Sequence, residues 1–83
     1  MNANKILKAI SDDTRFSILA LLLKGERCAC EIPLCVKKSQ PAVSQHLAVL
    51  KKADLVSVRR EGAKRMYSIS PRGRRIFTEI SKW

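Results

Sequence analysis

Apolar positions in the first two thirds of the chain recur at helical spacing, and after Asp54 they alternate. A short first helix is predicted over Asn4 to Ile10. Ser11-Asp12-Asp13-Thr14 then offers a cap and first-turn acids for a second helix reaching about Lys24. Within it Phe16, Leu19, Ala20 and Leu23 follow at i, i+3, i+4 and i+7 as the expected buried stripe, while Ile18, Leu21 and Leu22 point elsewhere. A helix apolar on more than one side is usually sandwiched between other elements. Gly25 ends it. A third, short helix is expected from Glu31 to Lys37, starting at or after Cys30 so that Pro33 stays in the first turn. The fourth begins at Ser39, a good N-cap, with Pro41 where no intrahelical donor is needed, and runs to about Ala53-Asp54. Beyond it Leu55 to Arg60 and Arg65 to Ser70 alternate like strands, with Val56/Val58 and Tyr67/Ile69 as inward pairs and Glu61-Gly62-Ala63-Lys64 as the hairpin loop. Ser70-Pro71 caps a last helix, expected over 71–82, that carries Ile76, Phe77, Ile80 and Trp83.

The fold class that follows is mainly α with a small β-hairpin, in the order α-α-α-α-β-β-α. That is the order of a winged helix-turn-helix, in one domain spanning residues 1–83. The Ser39 helix is its most informative piece. Val43, Leu47 and Leu50 stack on one side; Ser44, Gln45, Ala48 and Lys52 occupy the other. Short polar side chains can approach base edges, and a terminal lysine suits a phosphate. An ordinary solvated helix would carry more Glu and Lys there. Gln40, Ser44 and Gln45 are the expected base contacts, and Lys52 an expected phosphate contact. His46 lies at the edge of the buried face, where a packed structural residue is expected ahead of a DNA contact.

Charge sharpens this reading. Lys and Arg number 17 against 7 Asp and Glu, a formal charge of +10, which points to a polyanionic partner. From Lys51 to Trp83 stand ten basic and three acidic residues, so most of the excess follows the candidate reading helix. Arg59, Arg60, Lys64 and Arg65 gather at the hairpin and are expected to touch phosphate. Double-stranded DNA is the expected partner.

Size and chemistry exclude other classes. A chain of 83 residues leaves no room for a separate catalytic domain, and nothing pairs a nucleophile with a base or forms a phosphate-cradling glycine loop, so an enzyme is not expected. A domain this short buries only roughly 60–65% of its unfolded surface, and a partner subunit would be a natural remedy. The longest apolar run, Ile18 to Leu23, is too short to span a bilayer, and Met1-Asn2-Ala3-Asn4-Lys5 adjoins no signal-like stretch. A cytoplasmic location without membrane attachment is expected. Three cysteines within eight residues do not form a secreted disulfide framework.

Several segments in register resemble the ArsR/SmtB family of metal-responsive transcriptional repressors: Ile10-Ser11-Asp12-Asp13-Thr14-Arg15, Cys28-Ala29-Cys30-Glu31-Ile32, Ser39-Gln40-Pro41 through His46-Leu47, Leu55-Val56 and Arg59-Arg60-Glu61-Gly62. The resemblance covers about Ala9 to Ser70. It implies a homodimer on an operator, with the Ser39 helix in the major groove. It also implies dimerisation through the terminal helices 4–10 and 71–82, where Ile6, Phe77 and Ile80 are the expected contacts. Two reading helices related by a two-fold axis would prefer an inverted repeat.

The same resemblance places Cys28 and Cys30 where sensing relatives carry paired thiolates for arsenite, antimonite, cadmium or lead. Soft thiolates suit such ions, and a three-coordinate ion needs three sulfurs. A tetrahedral zinc site would need a fourth ligand, from His46 or a carboxylate. Cys35 is the remaining sulfur. It follows Cys30 by five residues, about 140° away on a regular helix, so core is expected over ligand. An ion-released repressor is the first expectation. A regulator answering oxidation of the thiols, or some other signal, stays open. So does a non-specific architectural DNA binder, which charge alone would allow.

Overall fold

The computed structural model describes residues 3–80 and 82. Five helices and three strands follow in the order α1 (Ala3–Ile10), α2 (Asp13–Leu23), β1 (Arg27–Cys28), α3 (Ile32–Val36), α4 (Gln40–Lys52), β2 (Val56–Glu61), β3 (Lys64–Ile69) and α5 (Pro71–Ile80). The strands form one antiparallel sheet in the order β1-β3-β2. The architecture is that of a winged helix-turn-helix, with β2 and β3 as the wing.

Local chemistry sets most boundaries. The Asp12 carboxylate accepts from the Thr14 and Arg15 amides at 2.8 and 3.1 Å and starts α2. The Ser39 hydroxyl accepts from the Ala42 amide at 3.3 Å and starts α4. Ser70 is buried and does two jobs. Its hydroxyl donates to the Asp54 carbonyl at 2.7 Å and accepts from the Gly73 amide at 2.9 Å, joining the end of α4 to the start of α5. Such caps satisfy amides that a helix start leaves without partners. α3 confines Pro33 to its first turn and ends at Lys37 in a left-handed conformation (φ 58°). The wing turns at Gly62, whose φ of 62° suits a two-residue hairpin.

α2 runs through the middle, in contact with α1, α3, α4, α5 and β3. Its fully buried residues are Ile18, Leu19 and Leu22, whereas Phe16, Ala20 and Leu23 are only half-buried. The stripe expected from spacing is therefore shifted. With elements packed on several sides of α2, helical spacing alone does not set which of its faces is buried most deeply. Val43, Leu47 and Leu50 of α4 complete the core with Leu55, Val56, Tyr67 and Ile69. Val56 pairs with Ile69 and Val58 with Tyr67, as the alternation required.

Four features depart from the expectations. The hairpin gains a third strand, because Arg27 pairs with Tyr67 and Cys28 with Met66. Cys35 is exposed rather than core, since α3 is short and packs through Ile32. Phe77 is 7% exposed and lies against Phe16, ring centroids 4.7 Å apart, so it belongs to this protomer's own core. α5 is described as a helix to Ile80, and Trp83 lies outside the described residues. Gly73 explains how closely α5 approaches the sheet: a Cβ there would run into the Leu55 carbonyl.

Candidate nucleic-acid interface and its thiol pair

α4 has three aspects, because successive residues rotate by about 100°. Val43, Leu47 and Leu50 face the core. Gln45 and Lys52 are exposed on the side opposite them. Gln40, Ser44, Ala48 and Lys51 occupy the flank toward the wing, where they line an open cleft of about 510 Å³. Ala63, Lys64 and Arg65 form the opposite wall, and Cys28, Ala29 and Cys30 close one side. Of the sequence-predicted residues, Gln40, Ser44, Lys64, Arg65, Cys28 and Cys30 thus come together. Gln45 and Lys52 stand outside this cleft, and Lys51 takes the place in it that spacing gave to no residue.

Beside it a second hollow of about 250 Å³ is lined by Lys51, Val58, Arg59, Arg60, Arg65 and Tyr67. Arg60 pairs directly with Arg65 in the ladder. Like charges directly opposite each other destabilise a sheet, and an anion between them relieves that repulsion. Arg59 is held differently. Its guanidinium donates to both Glu26 oxygens at 2.6 and 2.8 Å and to Glu61 at 3.1 Å. The bonds from Arg59 hold the Glu26 carboxyl below its usual range, and the two carboxylates raise Arg59 further. This fork ties β2 to the loop before β1 across 33 residues. Four cations at the hairpin are therefore not equivalent: Lys64, Arg60 and Arg65 face hollows, and Arg59 doubles as a clamp.

The thiols sit on the same sheet. Cys28 is buried on β1, Cys30 is exposed just beyond it, and the Ala29 amide donates to the Arg65 carbonyl at 2.9 Å. The Cys30 amide donates to the Cys28 sulfur at 3.3 Å, and the Glu31 carboxylate accepts from the Cys28 amide at 2.9 Å. The Cys30 thiol and amide hold Cys28 below the ordinary thiol range, and the same contact between the two thiols raises Cys30. Among the described residues no three His, Cys, Asp or Glu side chains gather as metal ligands. Cys35 lines neither hollow.

His46 is packed, with 20% of its side chain exposed. Its Nδ1 lies 3.2 Å from an Arg15 guanidinium nitrogen and 3.9 Å from Asp12. Arg15 donates to the Lys8 and Ala9 carbonyls at 2.8 and 2.7 Å. The junction ties the end of α1 to α4. Sequence spacing could not bring it out, because its members come from three helices.

The fold and this basic, helix-walled cleft define a winged helix-turn-helix DNA-binding protein. Residues 12–58 match the model of the family described as "Bacterial regulatory protein, arsR family". The chain is 47% identical over 68 residues to an uncharacterised HTH-type transcriptional regulator of Methanocaldococcus jannaschii, covering 81% of this chain and 76% of that one. It is 43% identical over 65 residues to the arsenical resistance operon repressor of Staphylococcus xylosus, covering 78% of this chain and 62% of that repressor. A homodimeric winged helix-turn-helix DNA-binding domain from Mycobacterium bovis superposes with a TM-score of 0.88 at 32% identity, over 94% of this chain and 73% of that one. The chain belongs to the ArsR family. It is a transcriptional regulator, and the family is not one of enzymes. No helix among the described residues is long and apolar enough to cross a membrane.

Proposed function

We propose that the protein is a homodimeric repressor that reads an inverted-repeat operator and leaves it when its thiol pair is engaged. The observation that carries this reading is the single cleft in which α4, the wing and both cysteines meet. Gln40, Ser44 and Gln45 are assigned to base edges, and Lys51, Lys52, Arg60, Lys64 and Arg65 to phosphates. Dimerisation is assigned to α1 and α5 through Ile6, Leu7 and Ile80. Leu7 is 60% exposed, and Ile6 and Ile80 are half-buried. The homodimeric relative from Mycobacterium bovis supports this assembly.

The ion reading draws support from relatives named as repressors of arsenical and cadmium resistance and from the softness of thiolate donors. The donor count does not fit within one protomer. Cys28 and Cys30 supply two sulfurs where arsenite takes three, Glu31 is engaged by the Cys28 amide, and Cys35 stands apart. Oxidation of the pair is the second reading, favoured by the Cys30 amide's bond to the Cys28 sulfur, which keeps the two residues side by side. One titration separates them. Reduced protein on operator DNA is treated with arsenite, cadmium, lead or zinc, and in parallel with peroxide followed by dithiothreitol. Ion sensing predicts release by an arsenite or cadmium arm, abolished in Cys28→Ser and Cys30→Ser but retained in Cys35→Ser. Release by peroxide alone, reversed by reductant, establishes the oxidation reading. Full retention of DNA in every arm refutes a sensing role for the pair.

The wing assignment has its own test. Lys64→Ala and Arg65→Ala should each lower the slope of log affinity against log salt by about 0.9, the effect of one lost phosphate contact. Arg59→Ala should change it less, because Arg59 already carries two carboxylates. Unchanged slopes for Lys64→Ala and Arg65→Ala would remove the wing from the interface.

A further inference from the structure

The cations of the wing differ in what already surrounds them. Arg59 stands on β2 and lines the hollow it shares with Lys51, Arg60 and Arg65. Its Nε and Nη2 donate to the two Glu26 oxygens at 2.8 and 2.6 Å, and its Nη1 donates to Glu61 at 3.1 Å. Two parallel N–H bonds to one carboxylate reproduce the fork that arginine uses on a phosphate. The two carboxylates outweigh the one guanidinium, so this spot is net negative in a hairpin that is otherwise basic. The fold holds Glu26 there. Its neighbour Arg27 pairs with Tyr67 from one side of β3, and Val58, the neighbour of Arg59, pairs with the same Tyr67 from the other.

We propose that Glu26 limits the affinity for DNA: its carboxylate occupies the Arg59 fork that a phosphate of the duplex would otherwise take. The inference rests on the reading that α4 and the wing hold DNA. Glu26 acts through Arg59 and is a positioning residue. The Arg59 side chain is 52% exposed, so a phosphate can reach the guanidinium once the carboxylate is gone. Glu26 is itself 30% exposed, and ion pairs this open contribute little to folding. The pair can therefore be broken without unfolding the chain.

A cycle of Glu26→Gln, Arg59→Ala and the double variant, with duplex affinity followed against salt, tests this. In Glu26→Gln the freed arginine should steepen the slope of log affinity against log salt by up to about 0.9 and raise affinity about 5-fold at 0.15 M salt. Glu26→Ala should do the same. Arg59→Ala should lower the slope by well under 0.9 in the wild type, but by about 0.9 in the Glu26→Gln background. That difference assigns the gain to Arg59. Mere loss of a repulsive charge would make Arg59→Ala cost the same in both backgrounds. Thermal melts should show each variant folding cooperatively. An unchanged or shallower slope in both Glu26 variants overturns the proposal, and so does an equal cost of Arg59→Ala in the two backgrounds. If in addition Lys64→Ala and Arg65→Ala keep the wild-type salt slope, the interface reading fails as well. If those slopes fall, only the role of Glu26 is lost.

Discussion

A duplex selected from random sequence should be bound at least ~10³-fold more tightly than bulk DNA at physiological salt. Gln45→Ala should cost about 1–3 kcal/mol on that selected site and far less on bulk DNA. The ground for both is how α4 is built. Its core face is fixed by Val43, Leu47 and Leu50, its first turn by Ser39, and its flank by the Arg15–His46 bond. A helix pinned on so many sides holds the backbone at Gln45 in one place, and an amide carried from a fixed position can discriminate among base edges. Charge on the wing adds affinity without sequence information. The two contributions are separable in one binding assay across selected and random duplexes. An architectural DNA binder would give a ratio near one, and Gln45→Ala would then weaken both duplexes alike. That outcome would reassign α4 to backbone contacts.

How much of this was legible in the residues depended on how local the determining physics is. α2, α4 and α5 were readable because Asp12, Ser39 and Ser70 each cap an amide two or three residues ahead. The β2–β3 register was readable because alternation and a short Gly62 turn fix it together. β1 was not. Two residues carry no periodicity, and the strand exists only because Met66 and Tyr67 offer it an edge. With it went the position of the thiols, which sequence placed before a helix and the fold places at the edge strand β1, beside the wing. Arg59 was legible as a hairpin cation, but its tie to Glu26 was not, because that carboxylate is 33 residues away. Helical phase put Ser44 on one face with Gln45 and Lys52, and the fold divides that face between the cleft and open solvent. Lys51 was missed because the residue after it, Lys52, is the same type and one step of phase decides which wall each joins.

Phe77→Glu should unfold the protomer rather than divide a dimer. The family resemblance, which implies dimerisation through the terminal helices, made Phe77 and Ile80 alike candidates for an apolar contact between subunits. The fold separates them. Phe77 is 7% exposed and stacks on Phe16, whereas Ile80 remains half-buried. Removing a buried phenyl ring costs about 3–5 kcal/mol, and a carboxylate left without a partner in its place costs more. Domains of this kind have only about 5–15 kcal/mol in total, and a short one sits at the lower end. The variant should therefore lose its cooperative thermal transition at neutral pH. Leu7→Glu is the matching test of assembly. At 60% exposure its side chain contributes little to the protomer's core. That variant should keep the fold while sedimenting as a monomer at concentrations where the wild type is a dimer. Its affinity for a two-half-site duplex should fall, because one half-site offers half the contacts. Circular dichroism melts with sedimentation velocity on both variants decide the matter. A folded, monomeric Phe77→Glu protein would return Phe77 to the subunit interface, and a dimeric Leu7→Glu protein would take α1 out of it.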